Sequence, residues 1–213
     1  MVDNSVRRST IFNKLSRPEN SSAPKSSTWL QPQNLKTQTS EDLCTHFCRV
    51  LGAHNTFTQT IPDINSLPNV VAEHLNKLAV VPKIYGSVHS PLKQLAWGEV
   101  SIDWDSSSFT EDGKVAISMA SYGIADTGTL VLLGDEENPT RNNFLAEHHI
   151  IVLRLQNLLA YSEDVWEKLT AENKKLPRAI NFISGPSSSA DVGLKLEYGA
   201  HGPRSLAVFI SER

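Results

Sequence analysis

Three polar loops carry the residue types in this chain that could do chemistry, and each adjoins a run of large apolar residues. The Asp126 loop (residues 126–129) reads Asp-Thr-Gly-Thr, the Gly185 loop (residues 184–191) begins Ser-Gly-Pro-Ser, and the His201 loop (residues 199–204) reads Gly-Ala-His-Gly-Pro-Arg. Hydroxyls, backbone amides beside glycine, histidine and arginine are groups that bind small anions. The three loops together therefore predict a site for a small acid.

The Asp126 loop runs directly into a buried run and could bring its backbone close to a ligand. Gly128 permits a positive φ and leaves no Cβ in the way, while the Thr127 and Thr129 hydroxyls would contact an anion. Asp126 is a candidate base, or a group that orients a water. Alternatively, the loop is a tight turn in which Asp126 and the threonines bond to their own backbone. The pattern supports both interpretations equally.

The Gly185 loop follows an apolar run and would present backbone amides at the start of a helix, where the dipole favours anions. Gly185, Ser187 and Ser188 are its candidate ligand-binding residues, with Asp191 nearby. The alternative is a serine N-cap that starts a short helix with Asp191 in its first turn, and the spacing favours that interpretation. The loop lacks the endings of a Walker loop and of a nucleophile elbow.

The His201 loop combines a titratable ring with a planar cation. His201 is a candidate catalytic residue, because histidine side chains exchange protons near neutrality. The guanidinium of Arg204 suits a carboxylate or a phosphate. A turn with an exposed histidine and a surface ion pair is the alternative, and it is the commoner outcome for a single His-x-x-Arg. The presence of three such loops on one sheet favours the shared site.

The hydrophobic pattern predicts the elements that position these loops. Four compact runs of Leu, Ile, Val and Phe lack the alternation of a sheet exposed on one face, as in buried strands: residues 129–133, 149–153, 179–183 and 206–210. Shorter strands are predicted at 56–61, 83–86, 99–103 and 115–119, and helices at 39–51, 67–78 and 158–169. This order predicts an α/β fold with a largely parallel sheet flanked by helices, whose ligand sites lie at the carboxyl ends of the strands.

Composition and charge predict two parts of unequal kind. Residues 1–40 are polar and hold six Lys or Arg against two Asp or Glu, which predicts a flexible basic N-terminal arm. Residues 41–213 carry a formal charge of −7 within the net −3, and we expect them to form a single domain. An acidic body argues against nucleic-acid binding, which needs a concentrated basic face.

The same arithmetic limits the compartment and the cofactors. No apolar run approaches the roughly 20 residues that span a bilayer, and the first residues lack the apolar middle of a secretory signal. The chain has two cysteines, Cys44 and Cys48, which favours a reducing compartment, and we expect a cytoplasmic protein. Two cysteines are also too few for an iron–sulfur cluster, which needs about four ligands, and we expect no metal site.

Residues from about 97 to 210 resemble the LUD-domain family, most closely its lactate utilization protein C group. The resemblance rests on four segments in matching order and spacing: 124–132, 149–152, 183–191 and 199–204. It departs from the family pattern at Ser188, where a basic residue is common, at Gly193, where an acid is common, and at Ala146, where a proline is common. An altered ligand is therefore expected.

The resemblance implies a fold related to ribose-5-phosphate isomerase and CoA-transferase domains. It also implies a cytosolic system that oxidises L-lactate to pyruvate, in which companion proteins hold the iron–sulfur clusters. We expect a non-redox subunit of that complex that binds no cofactor itself and is not a complete enzyme alone. The alternative is an independent enzyme or binding protein for a small phosphorylated, CoA-like or carboxylate ligand.

Overall fold

The computed structural model describes residues 34–107, 114–171, 176–189 and 197–213. The strands are β1 (Phe57–Ile61), β2 (Lys83–Tyr85), β3 (Asp103–Asp105), β4 (Val115–Met119), β5 (Tyr122–Ile124), β6 (Thr129–Leu133), β7 (His148–Arg154), β8 (Leu158–Leu159), β9 (Ile180–Ile183), β10 (Ser188–Ser189), β11 (Glu197–Tyr198) and β12 (Ser205–Ser211). The α-helices are α1 (Ser40–Ala53), α2 (Leu67–Leu78), α3 (Asn142–Leu145) and α4 (Ser162–Ala171). Short 3-10 helices span Leu35–Thr37, Ile64–Ser66, Pro91–Gln94, Trp97–Val100 and Leu155–Asn157.

A six-stranded parallel sheet with the order β1-β12-β7-β4-β2-β3 forms the centre of the fold. Its central strands are buried on both faces because alternate residues enter different hydrophobic clusters. On β7, Ile151 and Leu153 pack in the cluster that contains residues of α1, whereas Ile150 and Val152 pack in the cluster that contains residues of α2. The predicted α/β class with a largely parallel, helix-flanked sheet is therefore confirmed.

A second sheet, with the order β8-β5-β6-β9, is the main departure from the predicted architecture. The predicted buried runs at 129–133 and 179–183 belong to it, and β6 pairs antiparallel with both β5 and β9. The connection from β5 to β6 is only residues 125–128, which is too short for the crossover that parallel neighbours require. An antiparallel hairpin is therefore the pairing that this loop allows.

The compact unit begins at Leu35, ahead of the boundary predicted near residue 41. Leu35 is buried in the core, and its amide donates to the Tyr161 hydroxyl at 3.0 Å. Thr39 is the N-cap of α1, and its side chain accepts from the Asp42 amide at 3.2 Å, which confirms the predicted cap. Residues 1–33 lie outside the described residues, so the flexible arm stays a prediction.

The predicted strand at 99–103 is wrong, because Trp97–Val100 is a 3-10 helix and β3 starts at Asp103. The indole of Trp97 is buried and donates from Nε1 to the Leu92 carbonyl at 2.7 Å, which fixes this turn in the core. Ser101 then takes a φ of 58° and ends the turn. Within the described ranges, no helix combines the length and the apolar content needed to cross a membrane.

Candidate functional site

The Asp126 and Gly185 loops meet because β6 and β9 are antiparallel. The register pairs Leu130 with Ile183, so the residue before Leu130 lies beside the residue after Ile183. The Thr129 and Ser184 hydroxyl oxygens are 2.7 Å apart, and the Thr127 and Thr129 hydroxyl oxygens are also 2.7 Å apart. A chain of three hydroxyls therefore joins the two loops.

The Gly185 and His201 loops are joined through their backbones. The Ser187 amide donates to the Pro203 carbonyl at 2.8 Å, and the Gly199 amide donates to the Ser187 carbonyl at 3.0 Å. The short strands β10 and β11 pair at the same place, with Ser188 opposite Tyr198. All three predicted loops are thus brought together.

Two glycines hold these loops against the carboxyl end of α1. Gly128 has a φ of 59°, and a Cβ on it would lie 3.1 Å from the Leu51 amide nitrogen. Gly185 has a φ of 145°, and a Cβ there would lie 3.1 Å from the His54 carbonyl oxygen. Both conformations favour glycine, so these residues serve close packing of the loops against the helix. The His54 ring nitrogen Nδ1 is 2.7 Å from the Ser184 carbonyl oxygen.

A cavity of about 260 Å³ lies where the Gly185 and His201 loops meet the six-stranded sheet. Its walls combine apolar side chains, hydroxyls and two rings of histidine: Asn143, Phe144, His149, Phe182, Ile183, Ser184, Gly185, Pro186, Ser187, His201, Gly202, Pro203 and Leu206. None of these residues carries a carboxylate, an ammonium or a guanidinium group. The walls are thus polar without a fixed charge.

The cavity lies at the amino ends of β7 and β12, which corrects the expectation that the ligand site lies at the carboxyl ends. His149 and Leu206 are the second residues of these two parallel strands, and both line the cavity. The reason is topological. The His201 loop leads into β12, so it reaches the sheet at the amino end, and the antiparallel second sheet delivers the carboxyl end of β9 to the same place.

His149 is the most buried polar group in the cavity wall. It is 1% exposed, its ring nitrogen Nε2 lies 3.0 Å from the Ser118 hydroxyl, and its Nδ1 has no hydrogen-bond partner among the described residues. Burial lowers the pKa of His149 to about 3, because a low-dielectric interior disfavours the charged ring. The ring is therefore neutral at physiological pH.

Asn143 is the second buried polar group of the wall. It lies in α3 and is 3% exposed, and neither its side-chain oxygen nor its side-chain nitrogen has a hydrogen-bond partner within the described part of the chain. Buried amides of this kind normally find partners. Two residues of the wall, Asn143 and His149, thus present unpaired polar atoms.

Sequence reasoning missed both residues. The only signal for His149 was a histidine at the start of a fully apolar strand, and the pattern was used only to argue that neighbouring histidines cannot share one ion. The structure agrees on that point, since His148 approaches the Ser205 hydroxyl at 2.6 Å whereas His149 approaches Ser118. Asn143 gave no signal, because the four-residue α3 is too short to show a helical period.

A wider groove of about 670 Å³ adjoins the cavity and shares Phe144, His201 and Gly202 with it. Lys114 and Arg204 also line this groove. The Arg204 guanidinium donates to the Glu147 carboxylate at 3.1 Å, and Lys114 approaches the same carboxylate at 3.5 Å. The hydrogen bond from Arg204, with the charge of Lys114, lowers the pKa of the Glu147 carboxyl.

The predicted site residues are distributed unevenly around this cavity. Gly185, Ser187 and His201 line it, whereas Thr129 supports it from behind through Ser184. Ser188 is exposed and lines a neighbouring depression, and Arg204 lies in the groove, where it forms the ion pair that the sequence left as an alternative.

Asp126 is exposed and does not line the cavity, so the geometry gives its carboxylate no reacting partner there. Asp191 lies outside the described residues. Among the residues that the structure does describe, no three His, Cys, Asp or Glu side chains are placed to hold a metal ion. Cys44 and Cys48 are free thiols on one side of α1, and a hydrogen bond from Cys44 lowers the pKa of Cys48 to about 7.

Replacing Thr129 with valine is expected to lower the free energy of unfolding by about 1 kcal/mol, because it breaks two hydroxyl contacts at a buried position and leaves Ser184 without this partner. Urea denaturation followed by circular dichroism measures the change. The exposed neighbour provides the control, since a Thr127→Val variant should lose less than half as much. Equal losses in the two variants would show that the hydroxyl chain does not support the loops.

Comparison with known proteins places the chain in a family. Residues 37–210 match the LUD domain. The lactate utilization protein C of Halalkalibacterium halodurans is 34% identical over 107 residues, which cover 48% of this chain and 46% of that protein. The uncharacterized protein YkgG of Escherichia coli is 34% identical over 108 residues, which cover 49% of this chain and 47% of that protein. The match thus spans about half the length of these curated relatives.

A solved structure shows the same fold. The crystal structure of a DUF162 family protein from Deinococcus radiodurans superposes with a TM-score of 0.62, covering 82% of this chain and 99% of that one, at 16% sequence identity. The likeness at this identity concerns the fold alone. The match to the LUD domain, however, extends from α1 to β12 and covers most of the sequence. The chain therefore belongs to the LUD domain family.

Proposed function

We propose that this chain is a non-redox subunit of a cytoplasmic lactate-utilisation system, which oxidises L-lactate to pyruvate with iron–sulfur partner proteins. The observation that carries the proposal is a small polar cavity in a chain whose curated relatives include several named lactate utilization protein C. The role of the chain is to bind and orient a small acid or a partner at this cavity.

The division of labour follows from the residues that the chain contains. Oxidation of lactate to pyruvate releases two electrons and two protons, and the electrons need an acceptor. The chain has two cysteines, fewer than the roughly four ligands of an iron–sulfur cluster, so the clusters belong to partner proteins. Both cysteines are free thiols, which fits a reducing cytoplasm.

The cavity has groups that suit the binding of a carboxylate. Ser184 and Ser187 offer hydroxyls, and His201 lies where the cavity opens into the groove. The cations of Lys114 and Arg204 line that groove and favour the approach of an anion, although Glu147 offsets part of their charge. We therefore expect the acid group of a ligand to face the groove and its remainder to lie in the cavity.

Affinity purification of the tagged chain from its own cells grown on lactate tests the subunit role. We expect iron–sulfur proteins to co-elute, and the eluate to contain iron and to reduce a dye when lactate is added. The chain purified alone should be colourless and inactive. A bound flavin, or lactate oxidation by the isolated chain, would overturn the non-redox role, and a chain that elutes without partners from intact complexes would overturn the subunit role.

A second candidate function is an independent enzyme or binding protein for a longer anionic ligand. The 670 Å³ groove with Lys114 and Arg204 on its wall favours it, since this volume exceeds the needs of a three-carbon acid. If the chain elutes alone, thermal-shift measurements with CoA and with phosphorylated metabolites distinguish this candidate. Stabilisation that is lost in an Arg204→Ala variant would support it.

A further inference from the structure

We propose that the cavity distinguishes an α-hydroxy acid from the matching α-keto acid and that Asn143 is the residue that determines this specificity. The proposal rests on the proposed function, which makes lactate and pyruvate the relevant pair. It concerns which of the two the chain holds, and it does not depend on which partner proteins carry the electrons.

The argument begins with the two unpaired groups in the wall. Asn143 and His149 are each at least nine-tenths buried, and both line the same 260 Å³ cavity. The side-chain oxygen and nitrogen of Asn143 lack partners, as does Nδ1 of His149. Buried polar atoms without partners are destabilising, so a ligand that pairs with them gains affinity from each new bond.

The chemistry of the amide decides what such a ligand must contain. A side-chain amide has one oxygen that accepts hydrogen bonds and one nitrogen that donates two. The ligand must therefore supply a donor as well as an acceptor to satisfy Asn143. This requirement holds whichever way the amide is turned, because neither of its polar atoms has a partner in the described structure.

An α-hydroxy acid meets this requirement and an α-keto acid does not. The hydroxyl of lactate can donate to the Asn143 oxygen while its own oxygen or the carboxylate accepts from the nitrogen. Pyruvate at neutral pH carries acceptors only, so it leaves the Asn143 oxygen unpaired in a closed site. Sites built to bond a hydroxyl reject the analogue that lacks it.

The neutral ring of His149 is consistent with this preference. The ring contributes one hydrogen bond from Nδ1, and the direction of that bond is set by the bond between Nε2 and the Ser118 hydroxyl. A donor at Nδ1 pairs with either acid, and an acceptor at Nδ1 adds a second place that only the hydroxy acid satisfies. In both cases the preference for the hydroxy acid remains.

The test is a pair of titrations on the full-length chain, with L-lactate and with pyruvate, followed by NMR of the labelled protein. We expect lactate to bind about ten-fold or more tightly than pyruvate. In an Asn143→Leu variant the two acids should bind within two-fold of each other, with lactate affinity reduced. The apo variant should unfold at the same or a higher urea concentration than the parent, because it loses unpaired polar atoms; Asn143→Ser is the second variant if this one fails to fold.

Asn181 provides the matched control. Its side-chain nitrogen is also buried without a partner among the described residues, but Asn181 does not line the cavity, so Asn181→Leu should leave both affinities unchanged. Equal affinities for the two acids in the parent protein, or a preference that survives in Asn143→Leu, would overturn the specificity role. Neither acid binding would overturn it as well. The subunit role is judged separately by co-purification with iron–sulfur proteins, so the two proposals can fail independently.

Discussion

Replacing His149 with phenylalanine is expected to remove a large part of the acid sensitivity of this fold. The pKa of His149 is about 3 in the folded chain because burial excludes the charged ring, whereas an unfolded chain returns it to about 6.5. Between these values the unfolded state binds one proton more than the folded state, so stability falls as the pH falls. This group alone destabilises the fold by about 2 kcal/mol on moving from pH 7 to pH 5.

Urea denaturation at a series of pH values between 7 and 5 measures this effect. The parent should lose stability steeply below about pH 6.5, and His149→Phe should flatten the slope by about 1.4 kcal/mol per pH unit. His148→Phe is the comparison variant. Burial also lowers the pKa of His148, but Glu147 partly opposes that shift, so this variant should flatten the slope less. An unchanged slope in His149→Phe would show that the ring does not stay neutral in the folded chain.

Replacing Phe47 with alanine is expected to lower the free energy of unfolding by about 3 to 5 kcal/mol. Phe47 lies on α1, is 0% exposed, and belongs to the cluster that includes Leu130 and Leu132 of β6 and Ile151 and Leu153 of β7. Its ring therefore lies among residues of both sheets. Removing it leaves a void that a packed interior fills only in part.

The midpoint of urea denaturation measures this loss. Phe144→Ala is the matched control, since Phe144 is 52% exposed and should lose less than about 1 kcal/mol. A loss in Phe47→Ala no greater than in this control would mean that the cluster repacks around the gap. The Phe47 variant should also bind small acids less well than the parent, since the cluster around it contains Leu206 of the cavity wall.

The sequence predicts the helices and the buried strands of this fold because their signals are local. The cap at Thr39 and the apolar faces of α1 and α2 repeat every three or four residues, which is enough to locate both helices. The central strands β7 and β12 are apolar on both faces, and this pattern requires cover on both sides. Each of these features depends on a few neighbouring residues.

The division of the strands between two sheets depends on contacts that are distant in sequence. β6 is as apolar as β7, so its composition does not reveal that it pairs antiparallel with β9. The same holds for the site. The three loops were identified from their residues, but their position at the amino ends of β7 and β12 follows from strand order. The polar groups on the cavity wall, Asn143 and His149, come from elements whose pattern points only to the core.

The position of β12 between β1 and β7 has a consequence for how the chain folds during its synthesis. β1 ends at Ile61 and lies at the edge of the six-stranded sheet, and the strand beside it begins only at Ser205. While the ribosome makes the residues between them, β1 has no neighbour to pair with, and the apolar side of α1 lacks the β12 residues that share its cluster. Pairing across so long a stretch of chain closes late and slowly. The nascent protein is therefore exposed to aggregation until its last strand emerges, and chaperones that bind unfinished chains should increase its yield.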